Sequence, residues 1–329
     1  MSHSNISIFV PHIGCSHQCS FCNQKHITGQ ALHPTAKDVH DAVKTALFSP
    51  SYNSGDCEIA FFGGSFTAIQ PDYMTELLEA AYTYVADGNV RGIRISTRPD
   101  YISPEILDLL KSYGVTSIEL GAQSMVDSVL KANERGHVAE DVVKASALIK
   151  DYGFELGLQM MTGLYKSSFD FDVETTNKII ELSPDTLRIY PTITLKNTKL
   201  ADLYNSGVYI PPSLDETVNL CVKIIDLLEN TNIKIIRLGL HSIDLKAYVA
   251  GPWHPAFSEL CASKRFCLKV DKLNLPCGNY IVYLNKSDVS KFIGQKRSNI
   301  DYFLTKGISF KVIPDVNVSK NNFVIKEVK

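Results

Sequence analysis

Three cysteines stand close together near the start of the chain, Cys15, Cys19 and Cys22, with the spacing C-x3-C-x2-C. Three thiolates on one short loop can converge on a single metal centre. They satisfy three irons of a 4Fe–4S cube and leave the fourth iron open for a substrate or cofactor. A structural zinc site is the alternative, and it requires a fourth ligand, for which His12 and His17 are the candidates. The spacing favours the cluster with an open iron.

Glycine and polar residues follow two predicted strands at their carboxyl ends. Gly63, Gly64 and Ser65 end the second strand, where glycines let the backbone approach a ligand closely; a plain tight turn is the alternative. Glu119 and Gln123 lie at the end of the fourth strand, where they could hydrogen-bond ribose hydroxyls or a substrate. A satisfied polar pair inside the fold is the other interpretation of these two residues. We therefore expect a ligand site beside the cysteine loop.

Apolar runs alternate with helical patterns over residues 1–240, which predicts a repeated βα unit. Strands are predicted at 6–10, 57–62, 93–96, 115–120, 155–161, 186–190 and 233–238. Helices are predicted at 35–48, 71–86, 103–113, 126–132, 139–152, 169–182 and 214–229. Hairpin signals are missing, so the sheet should be parallel. The pattern predicts an α/β fold, a partial or full (β/α) barrel with its chemistry at the carboxyl ends of the strands. A doubly wound open sheet is the alternative.

Six motifs occur in order along residues 11–200. They are PHIGCSHQCSFCNQKHITG at 11–29, FFGGSFTAI at 61–69, STRPDYI at 96–102, IELGAQS at 118–124, RGH at 135–137 and RIYPTITLKNTKL at 188–200. With these motifs the chain resembles a radical S-adenosylmethionine (SAM) enzyme, and more narrowly the radical SAM portion of the Elongator protein 3 (Elongator catalytic subunit) family. That family spaces its cysteines more widely and carries an acetyltransferase domain, for which the 74 residues from 256 to 329 are too few.

The resemblance implies that the three cysteines hold a 4Fe–4S cluster and that SAM binds its open iron. It also implies that one-electron reduction cleaves SAM and gives a 5′-deoxyadenosyl radical, which abstracts hydrogen from the substrate or adds to it. Arg188 and Tyr190 end the sixth predicted strand and are our candidate catalytic residues. A tyrosine near a radical can donate hydrogen; simple packing is its alternative role.

The resemblance also assigns SAM contacts to residues at strand ends. The motif at 63–65 matches one that contacts the methionyl amino group, and Gln123 matches the glutamine of a G-x-Q-S motif that contacts SAM. Arg135 resembles an arginine that pairs with the SAM carboxylate through charge-assisted hydrogen bonds; a solvated charge at a helix end is the alternative. Gln159 ends the fifth strand, where related enzymes place a ribose-binding residue.

The chain after a break at residues 251–255 has its own pattern, so we expect domains at 1–255 and 256–329. Residues 265–329 carry 12 Lys+Arg and 5 Asp+Glu, a net charge of +7, whereas the rest carries 21 against 30, a net charge of −9. Predicted strands and helices follow in the order β-α-loop-α-β and resemble a KH RNA-binding module. The loop Gly294-Gln295-Lys296-Arg297 lacks the second glycine of a Gly-x-x-Gly loop. A small α+β cap is the alternative.

The composition excludes several classes of protein. With 45% hydrophobic residues and a net charge of −2, the 329-residue chain is not disordered. The N-terminus has no signal-peptide pattern, and an apolar run of about 18 residues is missing. We therefore expect a cytoplasmic protein without a membrane partner, whose cysteines are reduced. Cys261, Cys267 and Cys277 are expected to be buried or free thiols rather than ligands of a second cluster.

These features together favour a radical SAM enzyme that modifies RNA, with tRNA as the expected substrate and partner. Its cofactors would be the 4Fe–4S cluster and SAM, and its reductant a donor such as ferredoxin or flavodoxin. One alternative is a radical SAM enzyme acting on a small molecule of the tetrapyrrole type. The other is a non-catalytic RNA-binding protein stabilised by a metal.

Overall fold

A computed structural model describes residues 4–11, 18–22, 33–50, 52–240 and 243–328. The chain divides into two units. The first, here the barrel unit, comprises Met1–Pro212 and Leu227–Pro252. The second, here the C-terminal unit, comprises Ser213–Asp226 and Trp253–Lys329. None of the helices in the described part of the chain combines the length and hydropathy needed to cross a lipid bilayer.

The barrel unit is built on one parallel sheet of seven strands. The described part of the unit has nine strands in all: β1 (Ser4–Val10), β2 (Cys57–Gly63), β3 (Gly92–Thr97), β4 (Val115–Gln123), β5 (Glu155–Thr162), β6 (Thr186–Pro191), β7 (Thr194–Leu195), β8 (Lys234–Leu238) and β9 (Tyr248–Ala250). The sheet has the order β1-β2-β3-β4-β5-β6-β8, and the short strands β7 and β9 pair separately and antiparallel. Because the order never reverses, the sheet has no switch point and is not doubly wound. Successive right-handed crossovers instead curl it into a partial (β/α) barrel.

Eight helices with described bounds accompany these strands. They are α1 (Ala36–Leu47), α2 (Pro71–Ala86), α3 (Pro104–Ser112), α4 (Asp127–Ala132), α5 (Ala139–Asp151), α6 (Phe169–Leu182), α7 (Lys199–Asn205) and α8 (Leu214–Leu228). Their starts follow from local chemistry. The Ser168 side chain accepts a hydrogen bond from the Phe171 backbone at the start of α6, and proline opens α2 and α3. The sequence predicts these helices within two residues at each end, except α7, which is too short to show a repeating apolar pattern.

Alternation along the strands separates an apolar face from a polar one. Ile93 and Ile95 of β3 are fully buried, and so are Ile118 and Leu120 of β4. The opposite face of β3 and β4 carries charged side chains, and the parallel register aligns Ser96 with Glu119, Glu119 with Gly157, and Gln159 with Arg188. Residues aligned across parallel strands point to the same face. Glu119, Gln159 and Arg188 therefore share the inner face of the curled sheet.

The C-terminal unit contains a three-stranded sheet with an aromatic core. Its further elements are α9 (Phe257–Asp271), β10 (Gly278–Leu284), α10 (Val289–Ile293), α11 (Ser298–Thr305), β11 (Ile308–Pro314) and β12 (Phe323–Glu327). Strand β10 lies in the centre, parallel to β11 and antiparallel to β12. Phe266, Tyr280, Phe292 and Phe303 pack in its core. The β-α-loop-α-β order predicted from the sequence is present here, and its KH-like nature stays a prediction.

Most of helix α8 groups with the C-terminal unit, although the sequence places it in the predicted domain 1–255. The Arg265 guanidinium of α9 forms an ion pair with the Asp226 carboxylate of α8, with an Nε–Oδ1 distance of 2.6 Å. Helix α8 continues the βα alternation of the barrel along the sequence. Periodicity shows that a helix has an apolar face, but it does not identify the surface that this face covers.

Candidate active site

The described part of the cysteine loop, residues 18–22, is fastened to two other loops. The Ser20 backbone N–H donates to the Asn133 carbonyl (3.1 Å), and the Ser20 hydroxyl donates to the Asn133 side-chain oxygen (2.8 Å). The Leu200 N–H donates to the Ser20 carbonyl (2.7 Å). These bonds hold Cys19 and Cys22 against the end of α4 and the start of α7. Of the predicted ligands, Cys15 lies outside the described residues, as do the zinc-ligand candidates His12 and His17.

Arg135 contacts the cysteine loop directly. Its Nη1 donates to the Cys19 sulfur at 3.1 Å, and its Nη2 donates to the Gly121 carbonyl at 2.7 Å. Both Cys19 and Arg135 are buried. The Arg135 Nε is also buried and has no partner among the described residues. Arg135 is therefore not the solvated helix-end charge that the sequence left open.

The side chains of Gln123 and Arg135 both approach Gly121, and Gln123 also has an unpaired hydrogen-bond acceptor. Its backbone is left-handed, with φ of 65°, which costs a non-glycine residue about 1–2 kcal/mol. Its buried Oε1 has no partner among the described residues. Buried polar atoms are normally paired, so Gln123 Oε1 and Arg135 Nε indicate a ligand that donates to one and accepts from the other. This arrangement fits the group that the sequence resemblance implies.

The backbone of the glycine motif at the end of β2 packs closely against the end of β1. Gly63 has φ of 119°, and a Cβ atom there would lie 2.3 Å from the Val10 carbonyl oxygen. The Gly64 N–H donates to the same oxygen at 2.9 Å. The Ser65 hydroxyl bonds the Thr97 hydroxyl (2.8 Å) and accepts from the Arg98 N–H (3.2 Å). Because the Ser65 side chain is engaged within the protein, a ligand here would meet mainly backbone groups.

Glu119 is held by two arginines rather than by Gln123. Arg188 donates to both Glu119 oxygens, at 2.6 and 2.9 Å. Gln159 Nε2 donates to Oε2 at 2.8 Å, and Arg94 Nη1 lies 3.3 Å from Oε1. The two predicted residues of β4 therefore differ, since Glu119 is fully paired and Gln123 is not. Glu119 fixes Arg188 and Gln159 on the inner face of the sheet.

Arg188 is buried and Tyr190 is half-buried at the end of β6. The Arg188 guanidinium stacks over the Phe62 ring at 5.1 Å from its centroid. Burial raises the pKa of Tyr190, although Arg188 opposes that shift through its positive charge. The tyrosine is thus a neutral phenol at physiological pH and keeps its O–H hydrogen.

A deeper layer of charge was not predicted from the sequence. Glu58 accepts from Arg94 Nε (2.8 Å), Arg91 Nη2 (2.7 Å), the Thr116 hydroxyl (2.9 Å) and the Ser117 hydroxyl (3.0 Å). Glu58 and Arg94 are at most 1% exposed. A charged residue inside an apolar strand was the available signal, in CEIAFF at 57–62 and GIRIST at 92–97. Arg94 connects this network to Glu119, because it contacts both the Glu58 and the Glu119 carboxylates.

His137 is a buried side chain two residues after Arg135. Its Nε2 is 3.3 Å from the Ala122 carbonyl, and its Nδ1 is buried without a partner among the described residues. Burial, together with the positive charges of Arg135 and Arg98, lowers the pKa of His137 to about 4. The imidazole is therefore neutral at pH 7 and adds no charge to the site.

The other five cysteines differ in their exposure. Cys57, Cys221, Cys261 and Cys267 are buried, and Cys277 is exposed. Within the described ranges, three or more His, Cys, Asp or Glu side chains nowhere gather into a group that could hold a metal ion. Cys261, Cys267 and Cys277 all lie in those ranges.

The sequence of the chain matches known families over most of its length. Residues 9–176 match the Radical SAM superfamily, and residues 184–265 match the Radical_SAM C-terminal domain. The chain belongs to the radical SAM superfamily. It is an enzyme of this family, whose members hold a 4Fe–4S cluster and SAM. The predicted fold class and the predicted resemblance are confirmed.

Individual relatives narrow the resemblance. A tRNA uridine(34) acetyltransferase of Methanocaldococcus infernus is 34% identical over 127 residues, 38% of this chain and 24% of that protein. Elongator complex protein 3 of Homo sapiens is 31% identical over 190 residues, 52% of this chain and 35% of that protein. The chain thus spans about a quarter to a third of the length of these two relatives. The solved archaeal Methanocaldococcus infernus Elp3 has the same fold, with a TM-score of 0.63 and 23% identity, covering 74% of this chain and 61% of that one.

Proposed function

We propose that this chain reductively cleaves SAM at a 4Fe–4S cluster held by Cys15, Cys19 and Cys22, in order to modify RNA, with tRNA as the substrate. The observation that supports the chemistry is the arrangement around Arg135. One guanidinium contacts the Cys19 sulfur and leaves a buried donor, Arg135 Nε, without a partner, and Gln123, which also approaches Gly121, has the buried unpaired acceptor Oε1. When bound, the cluster and SAM supply one-electron cleavage to methionine and a 5′-deoxyadenosyl radical.

In this proposal the residues of the chain bind and orient SAM and exclude water from the site. Arg135 Nε would donate to the SAM carboxylate, and Gln123 Oε1 would accept a hydrogen bond from SAM. The backbone at 63–64 would receive the methionyl amino group. Glu119 neutralises Arg188 and sets its direction, while Tyr190 holds its hydrogen at the phenol oxygen. A reduced protein such as ferredoxin or flavodoxin would deliver the electron.

Two observations support RNA as the substrate class. Relatives over 38% and 52% of this chain are a tRNA uridine(34) acetyltransferase and Elongator complex protein 3. The C-terminal unit carries 14 Lys+Arg and 9 Asp+Glu, a net charge of +5, in a chain whose total is −2. A separate basic unit suits contact with a phosphate backbone.

Anaerobic reconstitution with iron and sulfide tests the cluster assignment. The wild-type protein should bind close to four irons per chain, the content of one 4Fe–4S cluster, and release 5′-deoxyadenosine when reduced with SAM. Cys19→Ala should lose nearly all cluster absorbance, since a ligand is gone. Cys277→Ala is the matched control, because this exposed thiol lies in the C-terminal unit and should leave the cluster intact. Full cluster retention in Cys19→Ala, or zinc in place of iron in the wild type, contradicts the assignment.

The substrate class has its own test with the reconstituted enzyme. A tRNA pool should increase 5′-deoxyadenosine release, and digestion of that tRNA should give nucleosides of changed mass. Coproporphyrinogen serves as the competing small-molecule substrate. If it stimulates cleavage and tRNA does not, RNA is the wrong substrate class while the cluster chemistry stands.

A further inference from the structure

We propose that the loop at residues 294–297 of the C-terminal unit binds the backbone of single-stranded RNA, with Lys296 and Arg297 on phosphates and a base in the adjoining cleft. This inference rests on the proposed function, because it assigns the place where the RNA substrate is held. The loop joins α10 to α11.

The two cations of the loop are available to a ligand. Lys296 and Arg297 are exposed, and neither has a carboxylate partner among the described residues. Neighbouring cations of the same unit are engaged instead. Lys291 pairs with Asp288 at 2.8 Å, and Lys306 pairs with Asp271 at 2.5 Å. Lys296 and Arg297 thus place two positive charges without a carboxylate partner side by side, an arrangement suited to phosphate contacts.

The loop backbone is held in an unusual form. Gly294, Lys296 and Arg297 have φ values of 82°, 51° and 67°. Left-handed backbone at non-glycine residues persists only where the surroundings enforce it, and it is concentrated at functional sites. Arg297 thus takes the left-handed conformation that glycine adopts readily. It occupies the position of the second glycine in a Gly-x-x-Gly loop.

A buried amide enforces this loop shape. Asn299 Nδ2 donates to the Ser263 carbonyl of α9 and to the Phe292 carbonyl of α10, each at 3.0 Å. A Cβ atom on Gly294 would lie 2.5 Å from the Ser298 hydroxyl, so the chain turns tightly against the first turn of α11. The loop is therefore preorganised, and a ligand would not have to order it.

A cleft next to the loop offers a place for a base. It has a volume of about 120 Å³ and is lined by Ala256, Glu259, Leu260, Ser263, Ser290, Lys291, Gly294 and Gln295. Leu260 and Ala256 give it an apolar side, whereas Gln295, Ser290 and Glu259 present hydrogen-bonding groups. The Glu259 carboxylate repels a phosphate inside the cleft and can accept from a base amino group. These features direct the RNA backbone toward the loop and one unstacked base toward the cleft. A duplex has no unstacked base to place there, so the cleft suits single-stranded RNA.

Binding of fluorescent tRNA and a single-stranded 12-nucleotide RNA to the full chain tests the inference. The variant Lys296→Ala/Arg297→Ala should weaken binding roughly tenfold or more at 50 mM salt and reduce the slope of log K against log salt by about 1.4. Lys311→Ala/Lys320→Ala removes the same charge from exposed sites elsewhere in the unit and should change binding less than about threefold. The charge-preserving Lys296→Arg/Arg297→Lys variant should keep most of the affinity.

The outcomes separate this inference from the proposed function. Equal losses in the two alanine variants, unchanged binding in the loop variant, or loop-dependent binding to anionic phospholipid vesicles in place of RNA overturns the loop site. If the wild type binds RNA through the loop but releases no 5′-deoxyadenosine after reconstitution, the cleavage chemistry fails and the loop site stands. A wild type that binds neither RNA at 50 mM salt overturns the loop site and the RNA substrate together.

Discussion

The inner face of the barrel sheet and the core of the C-terminal unit are built in opposite ways. The barrel encloses charge, because Glu58, Arg94 and Glu119 are at most 1% exposed and form ion pairs there. The C-terminal unit encloses aromatic rings, with Phe292 in edge-to-face contact with Phe266 and with Phe310. Most of its charged side chains are exposed, and the one fully buried carboxylate among its described residues, Asp288, pairs with Lys291 at 2.8 Å.

This difference indicates where each unit can meet a ligand. Buried charges cost free energy unless they are paired, so an interior that holds several of them has a shape fixed by directional bonds. Such an interior can position a polar cofactor that enters it. An apolar core offers no comparable contacts, so the C-terminal unit can recognise a charged ligand only through its surface loops. The first unit is suited to enclosing a small molecule and the second to contacting an extended polyanion.

The largest expected effect comes from breaking the charge network of the barrel. Arg94→Met leaves Glu58 and Glu119 buried with one fewer cation each, which should cost about 3–5 kcal/mol of unfolding free energy. Urea unfolding followed by far-UV circular dichroism measures this loss. The paired change Arg94→Met/Glu58→Leu should recover much of it, because it removes the uncompensated carboxylate as well.

Arg91→Met is the control for this prediction. Arg91 contacts the same Glu58 carboxylate, but its side chain is 42% exposed, so solvent screens the pair and the cost should stay below about 1 kcal/mol. Similar losses for Arg91→Met and Arg94→Met would show that burial does not set the importance of these ion pairs. The contrast between an enclosed and an exposed charge would then be wrong.

The next largest effect depends on pH and belongs to His137. Its pKa is about 4 in the folded protein and about 6.5 in the unfolded chain, so the unfolded state binds the proton first as the pH falls. Stability from the neutral imidazole is complete above pH 6.5 and is lost as the pH falls toward 4. Between pH 7 and pH 5 the wild type should lose about 2 kcal/mol more than His137→Gln.

The comparison with His137→Gln removes other titrations from the measurement. Burial raises the pKa of Asp172 to about 6, which has the opposite sign and makes the folded state more stable as the pH falls from 7 to 5. That contribution is common to both proteins and cancels in their difference. Parallel pH profiles for the two proteins would mean that His137 is solvated in the folded state.

The sequence predicted the barrel well because its apolar periodicity is simple. Strand and helix positions agree within two residues over most of the barrel, and the strand order follows from the βα repeat. The site was predicted as residue types at strand ends, but not as contacts. Cys19 and Arg135 are 116 residues apart, and no local pattern shows that they touch. Glu58 and Arg94 were missed because a charged residue in a strand is ordinarily solvated.

The C-terminal loop shows a different limit of sequence reasoning. The sequence has an arginine at residue 297, where a Gly-x-x-Gly loop has its second glycine, and glycine is the residue that most readily adopts a left-handed turn. The structure has that turn with an arginine in it, enforced by Asn299 and by the close packing of Gly294. Tertiary contacts override the conformational preference of a single residue, and this is not visible in the sequence of the loop itself.

The smallest expected effect separates stability from binding in that loop. Arg297→Gly removes the strain of a left-handed arginine, worth about 1 kcal/mol, and also removes a cation. Part of that gain is offset, because glycine makes the unfolded chain more flexible. Trp253, the single tryptophan of the chain, lies in the C-terminal unit. Its fluorescence should report an unchanged or higher unfolding midpoint. RNA affinity should fall in the same variant. A lower midpoint together with unchanged RNA affinity would mean that Arg297 stabilises the fold. The charges on the surface of the C-terminal unit would then stabilise structure, as the charges inside the barrel do.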